Sequence, residues 1–183
     1  MKTMFTLFLG LVFLAGCSLQ TASADRAAIE EMVRDHALAW ETGDRELLDS
    51  LLHEDSVFAY PGRRLNKAET LEDLDYFAAN FVDTKVYINT IIVEGNQVAV
   101  EWQFATTSTG SGARQVVSDA IIAEVKDGQF IVWKEYLDGR VKTLQESGEL
   151  YFEEGEEPFP WPMKTDLYGT VKQGYTPLAF GPS

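Results

Sequence analysis

The stretch I-V-W-K-E-Y-L-D-G, residues 131–139, is built of residues that favour a buried strand, and it carries a glutamate in its middle. In a strand that alternates faces, Glu135 lies with Ile131, Trp133 and Leu137. A carboxylate on an apolar face costs free energy unless something pairs with it. Asp119 has the same setting, flanked at spacing two by Val117 and Ile121. Whether the two acids meet depends on the hairpin closing at Lys126-Asp127-Gly128. A three-residue turn with a left-handed Gly128 pairs Val125 with Gln129 and sets Asp119 directly opposite Glu135. A two-residue Asp127-Gly128 turn pairs Lys126 with Gln129 and sends the acids to opposite faces. The first register separates polar from apolar residues better, and register follows such separation, so it is the one expected. Two carboxylates within about 5 Å on an apolar face cannot both ionise cheaply, so one pKa rises and the pair can serve as acid and base. The alternative role for Glu135 is structural, a hydrogen bond to His36 or Tyr60 that fixes a helix on the sheet.

The elements that would position these groups follow from periodicity. Asp25 is read as the N-cap of a first helix whose apolar stripe is Ile29, Met32, Val33, His36 and Trp40. Gly43 ends it, and Asp44 caps a second helix carrying Leu47, Leu48, Leu51 and Leu52. S-V-F-A-Y-P-G is a short strand ending in a Pro-Gly turn, and a third helix runs from about Lys67 to Phe81. From Lys85 the period becomes two, giving strands on either side of Glu94–Gln97 and a last pair, 114–125 and 129–138. Helices first and long antiparallel strands afterwards define an α+β fold, with the helices on one face of a curved sheet. Tyr60, before Pro61-Gly62, is a lid or packing residue; Arg63, Arg64 and His53 are expected at the surface.

The chain of 183 residues carries a formal charge of −14 and a pI near 4.4, which argues against nucleic acid and against electrostatic attraction to anionic lipid. Its N-terminus has one basic residue and then an apolar run from Met4 to Ala15, too short to span a bilayer but fitting a signal segment. Leu14-Ala15-Gly16-Cys17 resembles a bacterial lipobox. That resemblance implies cleavage before Cys17, thioether lipidation and N-acylation, and Ser18 in the next position favours the outer membrane, facing the periplasm. Residues 1–16 are then the signal peptide, 17–24 a lipidated tether, 25–145 the domain, and 146–183 an irregular extension. Cys17 is the only cysteine, so the chain has no internal disulfide and no cysteine metal cluster. Five of the six prolines lie beyond Glu146, where periodicity disappears. The acidic E-E-G-E-E there lacks calcium-loop spacing and is read as a solvated turn.

Three segments carry a family resemblance: W-E-T-G-D-R-E-L-L-D-S-L-L-H-E-D (40–55), V-E-W-Q-F (100–104) and D-A-I-I-A-E-V-K-D-G-Q-F-I-V-W-K-E-Y-L-D (119–138). Together they resemble the nuclear transport factor 2-like superfamily and its SnoaL-like members, over roughly residues 25–144. The resemblance implies a cone-shaped curved antiparallel sheet packed against three N-terminal helices, with a deep pocket and a homodimer through the open sheet as one mode of assembly. The ketosteroid isomerase-like branch keeps a tyrosine, an aspartate and a late-strand acid where this chain has His36, Ala59 or Tyr60, and Asp119, so that branch's base is missing. The limonene epoxide hydrolase-like branch keeps an arginine and two aspartates where this chain has Trp102, Phe104 and Glu135. The polyketide-cyclase-like branch relies on one late-strand aspartate, and Asp119 stands there.

The resulting expectation is a membrane-anchored domain whose pocket, lined by His36, Trp40, Tyr60, Trp102, Phe104 and Trp133, binds a small, largely apolar molecule without a cofactor. The first alternative is an acid/base isomerase, cyclase or hydrolase using Asp119 with or without Glu135. The second is an envelope interaction module acting through the sheet face or the C-terminal tail.

Overall fold

The structure is a computed structural model that describes residues 12–149 and 157–158, with side chains from residue 25 onward. Helix α1 runs Val12–Thr42, so Asp25 lies inside it and caps nothing. Residues 19–25 contain neither proline nor glycine, and no break separates tether from domain. The predicted stripe is the buried face, with Ile29, Val33, His36 and Trp40 all inside. Gly43 stops α1 in a left-handed conformation, φ +69°, where an added Cβ would lie 3.0 Å from the Ala78 Cβ. Asp44 then caps α2 (Arg45–Leu51), accepting a hydrogen bond from the Leu47 N–H.

Strand β1 (Leu52–Tyr60) and β2 (Arg63–Asn66) form a hairpin over Pro61-Gly62. His53 is buried at its start rather than exposed; its Nδ1 accepts from the Asp55 N–H at 3.1 Å. Asn66 and Glu69 make a reciprocal capping box for α3 (Lys67–Asn80). Four long strands follow: β3 (Phe81–Glu94), β4 (Gln97–Ser108), β5 (Arg114–Lys126) and β6 (Gln129–Leu137). The six strands form one sheet in the order β2-β1-β6-β5-β4-β3. Because β1 lies beside β6 and runs parallel to it, the sheet is mixed rather than purely antiparallel. The parallel neighbour arises because α3 and four strands intervene between β1 and β6, a connection long enough to cross over.

The last hairpin resolves the register differently from expectation. Asp127 (φ +52°) and Gly128 (φ +76°) form the two-residue turn, which pairs Lys126 with Gln129. The pairing then shifts by one residue between Glu124 and Val125, leaving Ile131 as a bulge. Beyond the bulge, Ile121 lies opposite Glu135 and Asp119 opposite Leu137. The turn chemistry prevailed locally, and the bulge restored the buried face. Asp119 and Glu135 are therefore diagonal neighbours on one face instead of a directly opposed pair.

A fourth helix, α4 (Gly139–Glu146), follows β6 at the end of the expected domain, where the sequence pattern marks no element. Asp138 caps it through the Arg140 N–H. β6 ends at Leu137, so the outer edge of β5 beyond Asp119 has no strand beside it. Gln145 takes that place: its Nε2 donates to the Val116 carbonyl at 2.8 Å and its Oε1 accepts from the Val116 N–H at 2.9 Å. One amide side chain thus satisfies two backbone groups that burial would otherwise leave costly. Glu157, within the acidic patch read as a solvated turn, is instead held by the Arg114 guanidinium and the Tyr87 hydroxyl. The remainder of the extension and residues 1–11 lie outside the described residues.

Candidate functional site

Between the inner face of the sheet, α1, α3 and α4 lies a cavity of about 330 Å³. That is near the lower end of the range, roughly 300–1,000 Å³, typical of small-molecule sites. Its wall is largely aromatic: Trp40, Phe58, Tyr60, Phe77, Trp102 and Phe104 contribute, with Phe81 and the exposed Tyr76 also among the lining residues. Against this apolar surface stand Asp73, Asp119, Glu135 and Lys142.

Asp119 projects from β5 and is 4% exposed. Its Oδ1 accepts from the Tyr136 N–H at 3.0 Å. The Trp102 indole, its cross-strand neighbour, faces the same carboxylate but its N–H does not reach hydrogen-bonding length. Burial raises the Asp119 pKa, and the Tyr136 N–H only partly offsets it. Glu135 is half-buried because it opens onto the cavity, with protein packed around its other sides. Its Oε1 accepts from the Trp133 Nε1–H at 3.1 Å. Burial raises the Glu135 pKa first, and the Asp119 charge raises it further. Each acid stands against the other on one buried face, so both are raised and the two titrate as a pair.

Around the acids sit the groups that sequence patterns did not single out. Asp73 accepts a hydrogen bond from the Tyr60 hydroxyl at 3.1 Å, with the exposed Arg63 guanidinium 3.9 Å away at the rim. Burial, and then Asp73, push Tyr60 up to about 12, so it remains a phenol. Asp73 was legible in principle: it stands four residues before Phe77 in α3, on the same side of the helix. Lys142 reaches the cavity from α4, and burial lowers its pKa against the opposing pull of Glu135, Asp119, Glu146 and Asp73. Its signal was the Asp138-Gly139 start of a short helix.

Six of the eight residues expected at the site, Trp40, Tyr60, Trp102, Phe104, Asp119 and Glu135, line the cavity. His36 and Trp133 do not; they stack on each other in the core, ring centroids 3.8 Å apart. His36 is fully buried among Trp133, Phe130, Phe58 and Trp102, and neither ring nitrogen has a hydrogen-bond partner among the described residues. Burial takes its pKa down to about 3, so the ring is neutral. The expected bond from Glu135 to His36 or Tyr60 is absent, because Trp133 holds Glu135 and Asp73 holds Tyr60. Trp133 is thus a support for the site and not part of its wall. The Cys17 side chain lies outside the described residues, and among those described no group of three or more His, Cys, Asp or Glu could hold a metal ion.

An open curved sheet folded over N-terminal helices, with an acid-bearing aromatic cavity on its concave side, defines a nuclear transport factor 2-like protein. Residues 33–133 match the SnoaL-like domain family, and the chain belongs to that family. Its fold is similar to that of a protein of ketosteroid isomerase-like fold from Catenulispora acidiphila, solved with trimethylamine, at 17% identity and a TM-score of 0.60, covering 64% of this chain and 92% of that one. It is also similar to an LEH-like epoxide hydrolase of M. tuberculosis, at 22% identity and a TM-score of 0.57, covering 64% and 88%. A third similar structure is a candidate SnoaL-like polyketide cyclase from Jannaschia sp. CCS1, at 16% identity and a TM-score of 0.59, covering 66% and 92%. No curated protein matches the sequence.

Proposed function

We propose that this chain is a membrane-anchored, periplasm-facing SnoaL-like protein that takes a small, largely apolar molecule into its cavity. The observation that carries the reading is the cavity itself, an aromatic enclosure of about 330 Å³ with a few convergent polar groups. Its ring faces supply apolar contact, and Asp119, Glu135 and Lys142 supply orientation. The lipobox at Leu14–Cys17 supports the anchor; no helix among the described residues is long and apolar enough to cross a membrane. The test is native mass spectrometry of the full chain extracted gently from membranes. A stoichiometric small molecule that is lost in Phe104→Arg supports the reading. A chain that carries none, and whose tryptophan fluorescence is unmoved by a panel of small aromatic and alicyclic compounds, overturns it.

The paired acids favour a second reading, acid/base catalysis on that molecule. Near neutrality the pair holds a proton, so one carboxylate is available as base while its neighbour is an acid. In this reading Asp119 serves as the base and Glu135 as the acid, donating to an oxygen on which charge develops. The similar structures named for epoxide hydrolysis and polyketide cyclisation are consistent with such chemistry in this fold. Asp119→Asn abolishing turnover while ligand retention persists would separate this reading from binding alone.

A further inference from the structure

Lys142 is the one cation among the described residues that line the cavity, and it comes from α4, outside residues 33–133 that match the family. Among the described residues its amine makes no hydrogen bond and no ion pair, although Asp73, Asp119 and Glu135 line the same cavity and Glu146 lies on its own helix. Lys67 shows the contrast: its amine bonds two backbone carbonyls and pairs with Asp49. Lys142 is only half-buried, so the amine is open to whatever occupies the cavity. An unpaired, partly desolvated amine beside proton-carrying carboxyls is the arrangement a carbonyl-capturing lysine needs.

We propose that Lys142 forms a Schiff base with a small aldehyde or ketone seated in the aromatic cavity. The proposal rests on the reading of the cavity as a site for a small, largely apolar molecule and adds the functional group that molecule carries. The neutral amine attacks the carbonyl carbon; a C–N bond forms, the C=O π bond breaks, and the nitrogen proton passes to oxygen, giving a carbinolamine. The protonated Glu135 then transfers its proton to the hydroxyl, which leaves as water while the nitrogen lone pair closes the C=N bond. The products are an iminium on Lys142, one water and the Glu135 carboxylate, so atoms and charge balance without a further reactant. Where the captured carbonyl has an α C–H, the iminium acidifies it, and the Asp119 carboxylate across the cavity can take that proton. Burial of the amine favours its unprotonated form and supports the first step. The ionised acids facing it would oppose that form at higher pH, so capture declines once both carboxyls have lost their protons.

The test uses the full chain in detergent with phenylacetone as probe and sodium cyanoborohydride to trap the imine. The expected result is a single addition equal to the probe less its oxygen, mapped to Lys142 and formed at least tenfold faster than on any other lysine. Lys142→Met should lose that addition, and Lys142→Arg, which keeps the charge, should lose it too. Phenylacetone α-protons should exchange with D₂O in the wild type and not in either variant. Peptide mapping of the wild type alone decides the matter if a variant fails to fold. Label spread evenly over the lysines overturns the proposal. Phenylacetone that binds, as read by tryptophan fluorescence, but leaves Lys142 unlabelled overturns the Schiff base and leaves the binding reading standing. A probe that neither binds nor labels counts against both.

Discussion

Replacing Asp119 with asparagine tests whether the site stores unfavourable charge. The Asp119 pKa rises from 3.8 to about 7, chiefly through burial. A raised carboxyl pKa means that the folded chain holds a proton that the unfolded chain has already released. The stability associated with that proton is therefore complete below about pH 4 and is lost as pH climbs through about 7. That rise, in which the Lys142 attraction is already included, corresponds to roughly 4 kcal/mol at full ionisation. Asparagine keeps an acceptor for the Tyr136 N–H and removes the charge. It also relieves Glu135 of a repulsive neighbour. The variant should match the wild type near pH 4 and unfold about 10 °C higher near pH 9, where the wild type carries both charges. Thermal and urea unfolding from pH 4 to 9, plotted as the difference between the proteins, gives the measurement. If the variant is destabilised by the same amount at every pH, Asp119 is ionised and paired in the fold and the reasoning is refuted.

Further outcomes follow from the same structure. Gln145→Ala strands the Val116 N–H and carbonyl together and should cost about 2–4 kcal/mol; faster hydrogen exchange at the Val116 amide would locate the damage, and unchanged exchange would count against it. His36→Phe should be neutral or mildly stabilising at pH 7, because the ring nitrogens have no partners. The His36 pKa is lowered from 6.5 to about 3, so stability is full above about 6.5 and falls as pH drops toward 3; the phenylalanine variant should flatten that acid limb in unfolding curves. Trp133→Phe removes the hydrogen bond to Glu135 and should raise the Glu135 pKa further, read by carboxyl NMR titration; an unshifted midpoint would mean that the indole does not hold this acid. Cys17→Ser should release the chain from membranes in fractionation, whereas retention would show that another element anchors it.

Local chemistry accounts for most of the architecture. Gly43-Asp44 punctuates two helices, and the alternation Val98, Val100, Trp102 marks one buried face of β4. The same alternation placed Asp119 and Glu135 on the inner face, because a period of two survives any even shift of register. It could not give the shift itself. The Asp127-Gly128 turn and the Ile131 bulge together decide that Asp119 meets Leu137, and a bulge depends on what the opposing strand must bury. His36 illustrates the converse limit: its spacing assigned it to the buried stripe, but only packing decided that its ring meets Trp133 instead of the cavity.

By itself the sequence determined the family, the helices before strands, the aromatic wall and the two acids, because each is written in spacing between near neighbours. The tertiary structure alone decided that β1 joins β6 in parallel, that Asp73 comes to Tyr60, and that Gln145 closes the free edge of β5. That last contact fixes α4 and brings Lys142 to the acids. These are meetings between distant segments, governed by burial and by the pairing of backbone groups, and no local pattern encodes them.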